Sequence, residues 1–117
     1  MALRKNVLPF SPQQHTLDRQ LRFAIANKRL IRFTYESVVR IAEPHDYGLR
    51  DGAPKLLAYQ RQKAARTDLH VRGWRWLDVA KIQDCSVLED SFSGTRETSH
   101  QQHHHWDVLY ARVDHTT

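Results

Sequence analysis

The sequence predicts a mainly β chain, a small barrel of five strands preceded by one α-helix. Three observations predict it. One stretch near the start repeats apolar residues at helical spacing: Leu17, Leu21, Ala24 and Ile25. Beyond it, Ile31, Phe33 and Tyr35 alternate with Arg32 and Thr34, the period of two of a half-buried strand. Turn residues then break further short apolar runs, a pattern of a small barrel rather than of a parallel sheet with crossover helices.

The elements follow in order. Residues 1–10 read as a flexible leader. Ser11-Pro12-Gln13-Gln14 has the form of a helix start, with a capping hydroxyl, Pro at the first helical position and Gln three residues after the cap. The helix packs its apolar stripe on an end or side of the barrel, and Arg19, Arg22 and Lys28 form a solvated face. The first strand ends at Tyr35. The second is Val38 to Glu43, with Pro44 ending it or lying on an edge. Arg50 to Pro54 carries the Asp51-Gly52 turn signal. Leu56 to Gln60 is the third strand, and Arg61 to Arg72, rich in Lys and Arg, is a long exposed loop. Trp74 to Val79 is the fourth, Val79 to Ile82 a short turn, and Cys85 to Leu88 the fifth. Ser91 to Gln102 is polar and irregular. Trp106, Val108, Tyr110 and Ala111 form a last ordered element, an edge strand or a packed turn. The chain thus divides into a leader at 1–10, helix and barrel at 11–92, and a His-rich extension at 93–117.

Composition narrows the function classes. A chain of 117 residues, 40% hydrophobic, builds one domain with a modest core. Its single cysteine, Cys85, rules out an intrachain disulfide and a zinc thiolate cluster, in keeping with a reducing cytoplasm. No apolar run has the length of a membrane span, and the apolar stretch of the first ten residues is too short for a secretion signal. A net charge of +5 and a pI near 9.7 favour an acidic partner, a nucleotide or nucleic acid; the plainer reading is a soluble basic protein.

Arg and Tyr recur on the strands. Arg40 lies among semi-buried strand residues, and Arg75 sits between Trp74 and Trp76. A guanidinium can grip a phosphate with two parallel hydrogen bonds and can lie flat on a ring. Tyr35 and Tyr59 offer ring faces to a base, and base–aromatic stacking is worth about 1–3 kcal/mol. Structural roles stand beside these. Tyr35 also fits a strand-end core residue, Arg40 a partner of Glu36 or Glu43, and Arg75 a guanidinium stacked between its two tryptophans. Trp74 and Trp76 share a face, so one or both pack the core or the helix.

The order of these pieces resembles a WYL domain, the ligand-sensing barrel of many bacterial transcription regulators. The likeness runs over about residues 17 to 92. It comprises the helix, the strand Leu30-Ile-Arg-Phe-Thr-Tyr35, Arg40 with Pro44 and Tyr47-Gly-Leu49, the ending Ala58-Tyr59-Gln60, and Arg75, Leu77 and Lys81-Ile82. Where the family has Trp-Tyr-Leu, this chain has Pro54-Lys55-Leu56. The resemblance implies an Sm-like or SH3-like barrel and a nucleic-acid ligand. It carries Tyr35, Arg40 and Arg75 over as groove residues, Tyr59 by strand position, and Arg96 as the Arg that follows the last barrel strand in stand-alone relatives. Only one helix precedes the barrel here, so the chain is not expected to act by itself as such a helix-turn-helix regulator, but with a partner or through self-association.

His100, His103, His104, His105 and His115 form a tract, but three consecutive His cannot face one ion from a strand, and no Cys lies nearby. No metal or other cofactor is expected. There is no Gly-rich phosphate loop, no nucleophile elbow and no pair of carboxylates at helical spacing on an apolar face, so the chain reads as a non-enzyme. Two functions remain: a regulatory module that binds a nucleotide or single-stranded nucleic acid, and a barrel that docks a protein partner or a second copy.

Overall fold

The structure is a computed structural model that describes residues 11–63, 72–94, 96 and 105–113. The leader at 1–10, most of the basic loop, and His100, His103, His104 and His115 lie outside the described residues.

Helix α1, Pro12–Asn27, begins as its sequence dictates. The Ser11 hydroxyl accepts from the Gln14 amide at 3.2 Å, and the Gln14 side chain accepts from the Ser11 amide at 2.8 Å. These bonds satisfy two donors that have no partner inside the helix. Leu17, Leu21, Ala24 and Ile25 are its buried stripe, as their spacing predicts. Complete burial of Leu21 or Ile25 contributes about 1.5–3 kcal/mol each.

Six strands follow: β1 Arg29–Tyr35, β2 Val38–Arg50, β3 Ala53–Lys63, β4 Gly73–Asp78, β5 Gln83–Ser91 and β6 Val108–Arg112. A 3-10 turn, Val79–Lys81, joins β4 to β5. All pairings are antiparallel, in the order β4-β3-β2-β1-β5, with β6 also on β2. The described residues are therefore mainly β with one α-helix. The five-stranded closed barrel of the sequence reading gives way to a six-stranded sheet in which the end strands β4 and β5 do not pair among the described residues. The sixth strand is the last element anticipated around Tyr110, and it is an edge strand.

Two turns contrast. Asp51 and Gly52 both have positive φ, the two-residue hairpin turn that Asp-Gly favours. The β1–β2 turn takes the same positive-φ pair at Glu36 and Ser37, where no glycine announces it.

Strand β2 organises the fold. The sequence ends it at Pro44, yet it runs on to Arg50. Along one edge it pairs with β3 from Arg40 to Arg50. Along the other it pairs with β1 over residues 38–42 and with β6 over residues 46–49. Pro44, which has no N–H to give a ladder, lies where β2 changes partners. A register shift between Pro44 and Asp46 marks a bulge at His45. Two consecutive residues, His45 and Asp46, therefore share a face.

The core lies between α1 and the inner face of the sheet. Ile31, Phe33, Tyr47 and Leu56 are the large strand residues buried most deeply in it. The Tyr47 hydroxyl donates to Asp18 at 2.6 Å, and the Gln20 amide donates to the Cys85 carbonyl at 2.8 Å. Both bonds fix the helix on the sheet.

Candidate functional site

Directly paired residues of an antiparallel sheet share a face. Pro44, Ala58 and Arg75 form one such row, and Glu43, Tyr59 and Trp74 form the next, on the opposite face. The five sequence-predicted residues therefore divide. Tyr35, Arg40 and Arg75 belong to the inner face, Tyr59 to the outer, and Arg96 reaches the outer face from beyond β5.

The inner group is tightly held. Tyr35 and Arg40 are each 8% exposed. The Tyr35 hydroxyl accepts from the Asp78 amide at 2.9 Å. The Arg40 guanidinium lies 5.2 Å from the Tyr35 ring centre. Its Nη2 donates to the Tyr35 carbonyl at 3.2 Å and its Nη1 to Gln60 Oε1 at 3.3 Å. Glu36 stands 3.8 Å away, so the ion-pair alternative of the sequence reading is met by Glu36 and not Glu43. Arg75 donates to the Trp74 carbonyl at 3.0 Å. Strand alternation places it on the face opposite Trp74 and Trp76. In this arrangement Tyr35 closes the β1–β2 hairpin and its ring is covered.

The outer group is built on Glu43, a carboxylate only 2% exposed. Arg96 forks it with two hydrogen bonds, Nε to Oε1 at 2.9 Å and Nη2 to Oε2 at 2.7 Å. Arg61 donates to Oε2 at 3.1 Å, and His45 Nε2 lies 3.0 Å from Oε1. The guanidinium of Arg96 lies 3.6 Å from the centre of the Tyr59 ring. Trp74 meets Tyr59 edge to face at 5.4 Å and His45 at 4.8 Å. Burial opposes ionisation of Glu43, but the bonds from His45 and Arg96 outweigh it and hold the carboxyl down to about 2. The same carboxylate raises Arg96 above the usual guanidinium range. The side chains of Arg61 and Arg96 remain 42% and 38% exposed, so both cations also face solvent.

Beside it, Asp46 is fully buried and forked by Arg112 at 3.1 and 3.2 Å. The two forks pin the segments that follow β5 and form β6 across the sheet. Trp106 is thereby laid over Gly48 and against Trp76, their ring centres 5.5 Å apart. Trp76 is 39% exposed, with the Arg50 guanidinium 4.4 Å from its ring centre. Both β4 tryptophans thus face outward, neither toward the helix.

The structure brings Tyr59 and Arg96 together, and Tyr35 and Arg40 together. Sequence reasoning missed Glu43, His45 and Arg61 as members of the outer site. Glu43 and His45 did carry a signal, two polar residues at strand spacing. Arg61 was assigned to an exposed loop, but β3 extends through it to Lys63. Among the described residues, no three His, Cys, Asp or Glu side chains converge on a metal position, and no helix is long and apolar enough to cross a membrane. No protein-family model, no curated protein and no solved structure matches the chain.

Proposed function

We propose that this chain is a non-catalytic binding module that takes a nucleotide or single-stranded nucleic acid on its outer face. Arg96, Arg61, Tyr59 and Trp74 are the contact residues. One observation carries the reading: the guanidiniums of Arg61 and Arg96 both bond the buried Glu43 carboxylate yet stay 42% and 38% exposed, so two cations face solvent beside the Tyr59 and Trp74 rings. Such a surface offers a phosphate charged N–H donors at its solvent side and a base aromatic neighbours. The net charge of +5 adds attraction at longer range. The likeness of residues 17–92 to a WYL domain supports the same reading, and with it a curled, Sm-like sheet and a regulatory role in the cytoplasm. Tyr35 and Arg40 then serve as supports for the hairpin, with Arg75 as an additional cation of the inner face.

The test is fluorescence anisotropy with labelled single-stranded DNA and RNA oligomers over a salt series. Binding should weaken steeply with salt as condensed counterions are retained. Arg61→Ala should weaken it for all sequences and lower the salt slope by about one. The Arg40→Ala/Arg75→Ala pair should change it less. Absence of binding at low salt, or binding indifferent to Arg61→Ala and Arg96→Lys, overturns the reading. A second reading, docking of a protein, is favoured by β6, which exposes Val108 and Leu109. Its association would survive high salt and fail with Val108→Lys.

A further inference from the structure

The outer face carries a second feature, apart from the Glu43 site. A hollow of about 320 Å³ opens at the far end of β4, lined by Arg50, Asp51, Lys55, Trp76 and Asp78. Its size is at the lower end for ligand pockets, enough for a single base. Trp76 and Trp74 are two residues apart on one strand and face the same way, so the hollow lies about 7 Å along the strand from the first site. A strand of nucleic acid gripped at Arg96 and Arg61 would reach it.

The side chains of the hollow differ in what they have left to offer. Lys55 and Asp78 are bonded to each other, and Lys81 stands 3.8 Å from the same carboxylate. Arg50 covers part of the Trp76 ring at 4.4 Å and Trp106 meets it at 5.5 Å, while Trp76 stays 39% exposed. Asp51 is different: its side chain is 88% exposed and its nearest cation, Arg50, is 4.0 Å away. The tight Asp51-Gly52 turn holds it at the rim. An aromatic surface with a carboxylate at its margin suits a base that stacks while presenting donors along one edge. An ionised carboxylate only accepts hydrogen bonds. Guanine offers it two adjacent donors, the ring N–H and the amino group. Thymine and uracil offer one N–H flanked by two carbonyl oxygens, which a carboxylate repels.

We infer that this hollow is a base-reading subsite selective for guanine over thymine or uracil, with Trp76 as the stacking platform and Asp51 as the reader. The inference rests on the proposed nucleic-acid function and adds a specificity to it. Arg50, 4.0 Å from Asp51, offsets part of the repulsion between Asp51 and the ligand's phosphates.

The experiment measures anisotropy of labelled dT5, of the same pentamer with a central guanine, and of one with hypoxanthine, which lacks the amino group, in that position. Wild type should prefer the guanine pentamer by about fivefold, the lower end for a paired contact because Asp51 is solvated. Hypoxanthine should lose most of that gain. Asp51→Asn, which tolerates the positive φ of this turn, should abolish the preference while leaving dT5 binding at or above the wild-type level. Trp76→Ala should weaken the guanine pentamer by about fivefold or more. Equal binding of all three pentamers, or a guanine preference that persists in Asp51→Asn, overturns the inference and leaves the general binding function standing. Failure of every pentamer to bind at low salt overturns both.

Discussion

Arg96 holds the Glu43 carboxylate with two hydrogen bonds of 2.9 and 2.7 Å while its guanidinium lies on the Tyr59 ring. One side chain thus joins the segment after β5 to both β2 and β3. Arg96→Ala leaves a buried carboxylate with fewer donors, and the expected loss is about 1–3 kcal/mol. Arg61→Ala removes a single bond from a more exposed partner and should cost less than about 1 kcal/mol. Urea unfolding of the two variants checks the order.

The same carboxylate sets an acid limit. Its folded value, about 2, lies below its ordinary 4.5. A depressed carboxyl contributes stability that is fully present above the unfolded value and is lost as pH falls through the folded one. The stability of the protein should therefore decline from about pH 4.5 toward pH 2. Glu43→Gln should be less stable near neutrality and should show a shallower decline. Urea midpoints of both proteins across this range test it; parallel curves would sink the assignment.

Gly48 is the point where β6 is seated. A Cβ there would collide with the Val108 carbonyl oxygen and come within 2.9 Å of the Trp106 ring. The Val108 contact is with backbone, which cannot swing aside. Gly48→Ala should destabilise by about 1–3 kcal/mol and release β6 before the rest of the sheet. Hydrogen exchange at the β6 amides reads this directly, with β1–β2 amides as the internal control.

The β1–β2 turn holds Ser37 at φ 67°, a conformation that disfavours a Cβ. Ser37→Gly should raise stability by about 0.5–1 kcal/mol and Tm by several degrees. At the β2–β3 turn, Gly52→Ala should do the reverse. A calorimetric Tm for each variant decides.

Burial pushes the Cys85 thiol up to about 12. Little thiolate is present near neutrality, so a disulfide reagent at pH 8 should react slowly with the folded protein and rapidly in urea. Rapid labelling without denaturant would contradict the packing of Cys85 against the core.

Local signals account for much of the fold. The capping box at Ser11, the stripe from Leu17 to Ile25, the alternation ending at Tyr35 and the turn at Asp51-Gly52 each act over a few residues, and each stands in the structure where the sequence places it. The basic charge and the single cysteine are likewise matters of composition. Long-range pairing decided the rest. Pro44 reads as a strand end because nothing local reveals that β2 passes there from β1 to β6. The bulge at His45 resets which residues face outward, so alternation counted along β2 fails beyond it. Arg96 meets Glu43 across 53 positions of sequence, and a contact over that distance has no periodicity to betray it. The tertiary structure thus turned Tyr35 and Arg40 inward and brought Tyr59, Arg61 and Arg96 around one buried carboxylate.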